Sequence, residues 1–114
     1  MTTGPRYRID VESDDHPRLV VVEGEIDMAS VDEMEKALVA QPSLAVVADL
    51  SGVGFMDSTG LRGLLAAHDG LAAQGGRLHL VFDDGPVKRL LDLTGLTDHF
   101  SVFPDRDSAL AAAD

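Results

Sequence analysis

The sequence contains no cysteine and no tryptophan among its 114 residues, and aromatic residues make up only 4% of it. The absence of cysteine excludes disulfides, thiolate metal sites and cysteine nucleophiles. Because aromatic side chains are scarce, a hydrophobic core has to be built mainly from valine, leucine, isoleucine and alanine. The hydrophobic content of 45% is sufficient for such a core, and a chain of this length is expected to form one domain.

Positive charge is also scarce. The chain has nine lysine and arginine residues and 20 acidic residues, which gives a formal net charge of −11. Nucleic acids and anionic membranes attract basic surfaces, so the charge balance argues against both as partners. No apolar run reaches the length of a membrane span, and residues 1–6 lack the apolar segment of a signal peptide. We therefore expect a cytoplasmic protein.

The hydrophobic pattern predicts strands that alternate with helices after an opening hairpin. Ser30 and Glu33 have the spacing of a capping box and so predict the start of the first helix. The last strand and the last helix are predicted to be short. The predicted elements are strands at 7–11, 19–22, 44–48, 78–82 and 102–103, and helices that begin at Ser30, after Ser58 and near Val87, with a last helix at 108–113. Residues 13–17 are predicted to be a turn, residues 24–27 to leave the second strand, and residues 49–56 to be a loop.

This order of elements predicts an α/β fold, with a mostly parallel mixed sheet, an antiparallel hairpin at its N-terminal edge and flanking helices. Residues 1–5 are predicted to be a flexible terminus and residues 6–114 to be a single domain. Binding sites in such folds gather at the carboxyl ends of the strands. Asp27 and Asp57 both follow predicted strands, so one surface could carry both.

Asp57, Ser58 and Thr59 stand where a helix is predicted to begin, so that unpaired backbone N–H groups and the positive end of the helix dipole lie beside them. The Ser58 hydroxyl could serve as the helix cap, which would contribute about 1 kcal/mol. On position alone the cap is the favoured interpretation, and the alternatives are that the hydroxyl holds an anion or accepts a phosphate. Three consecutive polar residues exceed what capping requires, and Asp57 could orient the Ser58 hydroxyl as an acceptor.

Other chemistries fit the sequence less well. Asp27, Asp49 and Asp57 could form a magnesium pocket like that of a receiver domain phosphorylated on aspartate, but the first strand does not end in the paired carboxylates of such a pocket. The four histidines lack metal-ligand spacing. Ser58 lacks the glycine pattern of a hydrolase nucleophile. We therefore expect a protein that is not an enzyme and that holds no metal or cofactor.

Four stretches of the chain resemble the STAS-domain family and, within it, the bacterial anti-sigma factor antagonists. The match is most specific at Asp57, Ser58, Thr59 and Gly60, and it extends over nearly the whole chain. The four stretches are residues 24–27, residues 49–61, residues 91–96 with Phe100, and residues 105–110.

The resemblance implies a function in partner switching. The unphosphorylated protein would bind an anti-sigma factor that is also a serine kinase, and a sigma factor would be released. The kinase would then phosphorylate Ser58, with Thr59 as the second choice, and the complex would separate. The resemblance places partner binding at Asp27, Met28, Ala29, Ser30, Asp57, Ser58, Thr59, Gly60 and Arg62.

Because the kinase would hold ATP and magnesium, no bound cofactor is expected in this chain, which is expected to be a monomer or a weak dimer. An alternative within the same resemblance is a constitutive STAS subunit of a transport or signalling assembly. Ser58 would then be only a helix cap.

Overall fold

Five strands form one sheet in the order of the sequence, with β1 antiparallel to β2 and the other pairs parallel. This computed structural model describes residues 6–13, 17–40 and 45–113. The predicted α/β class, with its mixed sheet and its antiparallel edge hairpin, is confirmed. The elements are β1 (Tyr7–Ser13), β2 (Arg18–Ile26), α1 (Val31–Val39), β3 (Ala45–Met56), α2 (Ser58–Ala72), β4 (Arg77–Val81), α3 (Pro86–Thr94), β5 (Ser101–Phe103) and α4 (Arg106–Ala113), with a 3-10 turn at Thr97–His99.

The two faces of the sheet carry different hydrophobic clusters, because successive side chains of a strand point to opposite sides. In β3, Val46 and Ala48 join the larger cluster, which the buried side chains of α1, α2 and α3 complete. Ala45 and Val47 join a smaller cluster with Ala109 and other residues of α4. Three helices therefore cover one face, and α4 covers the other.

Strands β2 and β3 are both longer than the hydrophobic pattern predicted. β2 continues to Ile26, so the prediction that residues 24–27 leave the strand is wrong for the first three of them. β3 continues to Met56, so residues 49–56 are not a loop. The polar and glycine-rich second half of β3 stays extended because it pairs with β2 across two shifts of register. Pairing with a neighbour here outweighs the local preference for turns.

The start of α1 differs from the predicted capping box. Ser30 does occupy the cap position, but its side chain makes no capping hydrogen bond to the helix. The Ser30 hydroxyl is buried and bonds to the preceding loop, while Glu33 accepts a hydrogen bond from Tyr7 at 3.1 Å. Val31, Met34 and Leu38 form the apolar face of α1 and are buried.

Helices α1 and α2 pack closely at Gly63. A Cβ atom at Gly63 would lie 2.3 Å from Cγ2 of Val31, so α1 and α2 touch where this glycine removes a side chain. Gly95 ends α3 in the left-handed conformation, with φ of 73°. The side chain of Leu93 in α3 points to the solvent and is 86% exposed.

The last helix begins two residues earlier than the sequence pattern indicated. The Asp105 carboxylate accepts a hydrogen bond from the Ser108 amide at 2.8 Å and so caps α4. Residues 1–5, the middle of the turn predicted at 13–17, and Leu44, the first residue of the predicted third strand, lie outside the described residues. The predictions made for them are not addressed by the structure.

Candidate functional site

The sheet brings the two loops of the candidate site together. Ile26 is the register partner of Met56 in the parallel pair of β2 and β3, so Asp27 and Asp57 follow neighbouring positions at the same edge of the sheet. The Asp57 amide donates to the Ile26 carbonyl at 3.4 Å, which joins the two strand ends directly. The expectation that one surface carries both aspartates is met.

Asp57, not Ser58, caps helix α2. Its carboxylate accepts a hydrogen bond from the Gly60 amide at 3.0 Å, and its carbonyl accepts one from the Leu61 amide at 3.0 Å. The interpretation of Ser58 as the cap is therefore wrong. The cap bond of Asp57 goes to Gly60, so the structure does not show Asp57 orienting the Ser58 hydroxyl.

Ser58 is the first residue of α2 and is exposed. Within the described parts of the chain, no hydrogen bond engages its hydroxyl. Thr59 is only half-exposed and lines a groove between α1 and α2. A neutral hydroxyl thus stands free at the positive end of a helix that is already capped.

Asp27 and Ser30 build the neighbouring loop. The Asp27 carboxylate accepts a hydrogen bond from the Ala29 amide at 3.0 Å, which closes a tight turn. The Ser30 hydroxyl donates to the Glu25 carbonyl at 3.0 Å and accepts from the Asp27 amide at 3.0 Å. Ser30 lies beneath the surface and fixes the loop, whereas Met28 and Ala29 are exposed on it.

Gly60 allows the first turn of α2 to lie against the end of β2. A Cβ atom there would be 2.8 Å from the Ile26 carbonyl oxygen and 2.7 Å from Cγ of Met56. Because one of these neighbours is backbone, a larger residue would push the start of α2 away from the sheet. Gly60 is buried, so among the predicted site residues it sets the position of Ser58 without facing the solvent.

Two large apolar side chains flank the candidate site in the open. Met28 is 81% exposed and Phe55 is 46% exposed. Met28 belongs to the site predicted from the sequence, whereas Phe55 does not. A signal was present, since an aromatic residue directly before Met56 and Asp57 is unusual in a chain with so few aromatic residues. Exposed apolar side chains beside polar ones are typical of protein-binding surfaces.

Arg62 lies one turn after Ser58 on the exposed side of α2. It borders a groove of about 210 Å³ between α1 and α2, together with Thr59, Asp32 and Glu35. Positions four apart on a helix lie side by side, so Ser58 and Arg62 share one face. The site therefore combines one exposed cation with several carboxylates.

The three aspartates proposed for a magnesium pocket do not come together. Asp49 is buried on the α4 face, where it accepts hydrogen bonds from Arg106 and, at 2.6 Å, from the Ser51 hydroxyl. Burial raises the pKa of Asp49, but the hydrogen bonds from Ser51 and Arg106 lower it more, so the pKa lies below its ordinary value. Asp49 is an internal ion-pair partner, and the receiver-like interpretation loses one of its three carboxylates.

No helix within the described parts of the chain is both long and apolar enough to cross a bilayer.

The sequence model of the STAS domain matches residues 8–109, which include every residue of the candidate site. The chain belongs to the STAS domain family.

Relatives of this STAS domain carry consistent names. It is 34% identical to the anti-sigma-B factor antagonist of Bacillus subtilis (strain 168), over 79% of the chain and 84% of the relative. It is 29% identical to the anti-sigma F factor antagonist of Paenibacillus polymyxa, over 91% and 92%. The structure of this domain superposes on the crystal structure of an anti-sigma factor antagonist from Mycobacterium paratuberculosis with a TM-score of 0.83 and 35% sequence identity. The match covers 98% of this chain and 98% of the other. The similarity extends over the whole domain.

Proposed function

We propose that this STAS domain is an anti-sigma factor antagonist whose binding is switched off by phosphorylation of Ser58. Its unphosphorylated form binds an anti-sigma factor that is also a serine kinase, and a sigma factor is released. The observation that carries this proposal is the exposed Ser58 hydroxyl on a helix that Asp57 already caps. Since that hydroxyl makes no hydrogen bond within the described residues, a covalent group attached to it leaves the fold of the domain intact.

The surface around Ser58 suits a protein partner. Met28, next to Asp27, and Phe55, two residues before Asp57, expose apolar area. Asp27 and Asp57 hold their loops through backbone hydrogen bonds, so the surface is ordered before binding. Preorganisation of this kind lowers the entropic cost of association.

A phosphate on Ser58 would change binding more than folding. It adds about −1.5 to −2 charges at neutral pH, and the start of α2 offsets part of this charge within the domain. An interface that buries the neutral hydroxyl would instead have to desolvate a dianion. Each 1.4 kcal/mol of that cost weakens binding about tenfold, so the complex separates.

In this scheme the chain catalyses nothing and the partner holds ATP and magnesium. The protein acts in the cytoplasm, as a monomer or a weak dimer. Ser58 is preferred over Thr59 as the acceptor because Ser58 is exposed, whereas Thr59 is partly covered in the groove between α1 and α2.

The test incubates the protein with ATP and a candidate anti-sigma factor kinase, and locates phosphate by mass spectrometry. We expect one phosphate on the wild type and none on Ser58→Ala. Phosphate that still reaches Ser58→Ala, at Thr59 for example, would contradict the assignment. Thr59→Val should accept phosphate as the wild type does.

Binding to the same kinase separates the switch from a constitutive subunit. We expect Ser58→Ala to bind and Ser58→Asp to lose at least about tenfold in affinity, or 1.4 kcal/mol. Ser108→Asp is the matched control, because Ser108 is also exposed in the first turn of a helix capped by an aspartate. Equal binding by Ser58→Asp and Ser108→Asp would favour the constitutive subunit.

A further inference from the structure

The C-terminal half of α2 meets the 3-10 turn at a group of three side chains that are separate from the Ser58 site. His68 and Asp69 lie on α2, and His99 ends the turn at Thr97–His99. Their potential ligand atoms all lie within 4.8 Å of one another. Ten residues of helix separate Ser58 from His68, which corresponds to about 15 Å.

Packing under the turn holds His99 beside α2. Phe100, the next residue, is buried in the larger hydrophobic cluster. Its ring meets the rings of His68 and His99 edge-on, with centroids at 5.5 Å and 5.3 Å. The His99 amide donates to the Leu96 carbonyl at 3.0 Å, which closes the turn. The two imidazoles, with centroids 4.6 Å apart, are therefore placed by the fold.

We propose that His68, Asp69 and His99 form a binding site for a divalent transition metal, with zinc as the expected ion. Two imidazole nitrogens and one carboxylate oxygen form a ligand set that zinc uses in proteins, with a fourth position left to water. Asp69 and His99 are exposed, so that position faces the solvent. The proposal does not depend on the role of Ser58.

The distances suit this ion after a small adjustment. In a tetrahedral site with ligands at about 2.0–2.1 Å, neighbouring ligand atoms lie about 3.3 Å apart. His68 Nδ1 and Asp69 Oδ1 share a hydrogen bond and are already 3.2 Å apart, so zinc would take the place of the proton between them. The His99 side chain is exposed and has to move closer to the other two, while the buried Phe100 keeps the turn beside α2.

The surroundings favour a cation. The group lies near the C-terminal end of α2, where the helix dipole is negative. The net charge of −11 also attracts cations to the protein. His68 and His99 are 31 positions apart in the sequence, so their spacing does not indicate a metal site, and they become neighbours only when Phe100 packs against both rings.

The test titrates tag-free protein with Zn²⁺ by calorimetry and follows thermal unfolding at each concentration. A metal that binds only the folded state raises Tm as its concentration exceeds Kd. His99→Gln should weaken zinc binding by more than about tenfold, since even the loss of an outer partner of a ligand costs that much. His16→Gln removes one histidine but leaves the group intact, so it should bind as the wild type does.

A second readout reports coordination directly. Co²⁺ in place of Zn²⁺ should give visible absorption bands of a four- or five-coordinate ion in the wild type and in Ser58→Ala. His68→Gln and His99→Gln should lack these bands. Failure of the wild type to bind either ion, or equal zinc affinity in wild type and His99→Gln, would overturn the proposal.

Discussion

The two faces of the sheet differ in what they bury. The face under α1, α2 and α3 is lined by an apolar cluster that includes Leu64 and Leu80. The face under α4 has a smaller apolar cluster and also encloses the polar side chains of Asp49 and His79. Stability on the first face depends on packing, whereas on the second it depends partly on protonation.

The candidate binding surface and the buried polar groups are thus in different parts of the domain. The candidate binding surface lies at the start of α2, so the firmly packed apolar face supports it. Asp49 and His79 sit beneath α4, away from that surface.

The largest effect is expected from a cavity on the three-helix face. Leu64 is fully buried in α2, so Leu64→Ala removes packed methyl groups and leaves a void. We expect it to lower the free energy of unfolding by about 3 kcal/mol, measured by urea denaturation. Leu110→Ala is the comparison on α4, where the leucine is only partly buried, and it should cost about 1 kcal/mol. Equal losses would show that the two faces contribute alike.

A smaller effect is expected from breaking the ion pair on the α4 face. Arg106→Gln leaves Asp49 buried with Ser51 as its hydrogen-bond partner. Because the Arg106 side chain is 44% exposed, water screens the pair. We therefore expect a loss of about 1 kcal/mol at pH 7. Arg89→Gln, on the exposed side of α3, should change stability by less than about 0.5 kcal/mol.

The pH dependence of that loss identifies Asp49 as its source. The pKa of Asp49 is lowered in the folded protein, because the hydrogen bonds from Ser51 and Arg106 outweigh the opposite effect of burial. A lowered carboxyl pKa stabilises the fold above the unfolded value of about 3.9, and this contribution disappears as the pH falls through the folded value. The difference between wild type and Arg106→Gln should therefore shrink below about pH 4. A difference that stays constant down to pH 3 would point to lost packing of the arginine instead.

The sequence was sufficient to predict the alternation of strands and helices, because apolar residues recur every two residues in a strand and every three to four residues in a helix, and such spacing is a local property of the chain. It also placed Asp57 and Ser58 at a helix start next to Asp27. Contacts between residues that are far apart in the chain could not be predicted from the sequence. The pairing of Asp49 with Arg106 joins residues 57 positions apart, and the extension of β3 depends on β2. The Ser30 hydroxyl has several possible partners, and only the folded loop shows that it bonds to the Glu25 carbonyl and not to α1.

The smallest expected effect concerns His79, which lies in β4 on the α4 face with its ring 5.1 Å from that of Phe103. Neither ring nitrogen has a hydrogen-bond partner among the described residues. Burial, and to a lesser degree the nearby charge of Arg77, lowers the pKa of His79. The unfolded chain therefore takes up the proton first as the pH falls through about 6.5, and stability decreases from that point.

His79→Leu removes both the unpaired nitrogens and this titration. At pH 7 the variant should be up to about 1 kcal/mol more stable, and its advantage should grow between pH 7 and pH 5 in urea denaturation. Arg77→Gln keeps the histidine but removes the neighbouring charge, so its stability should depend less on pH than that of the wild type. If the curves of wild type and His79→Leu run parallel over this range, His79 titrates alike in both states and does not make the α4 face sensitive to acid.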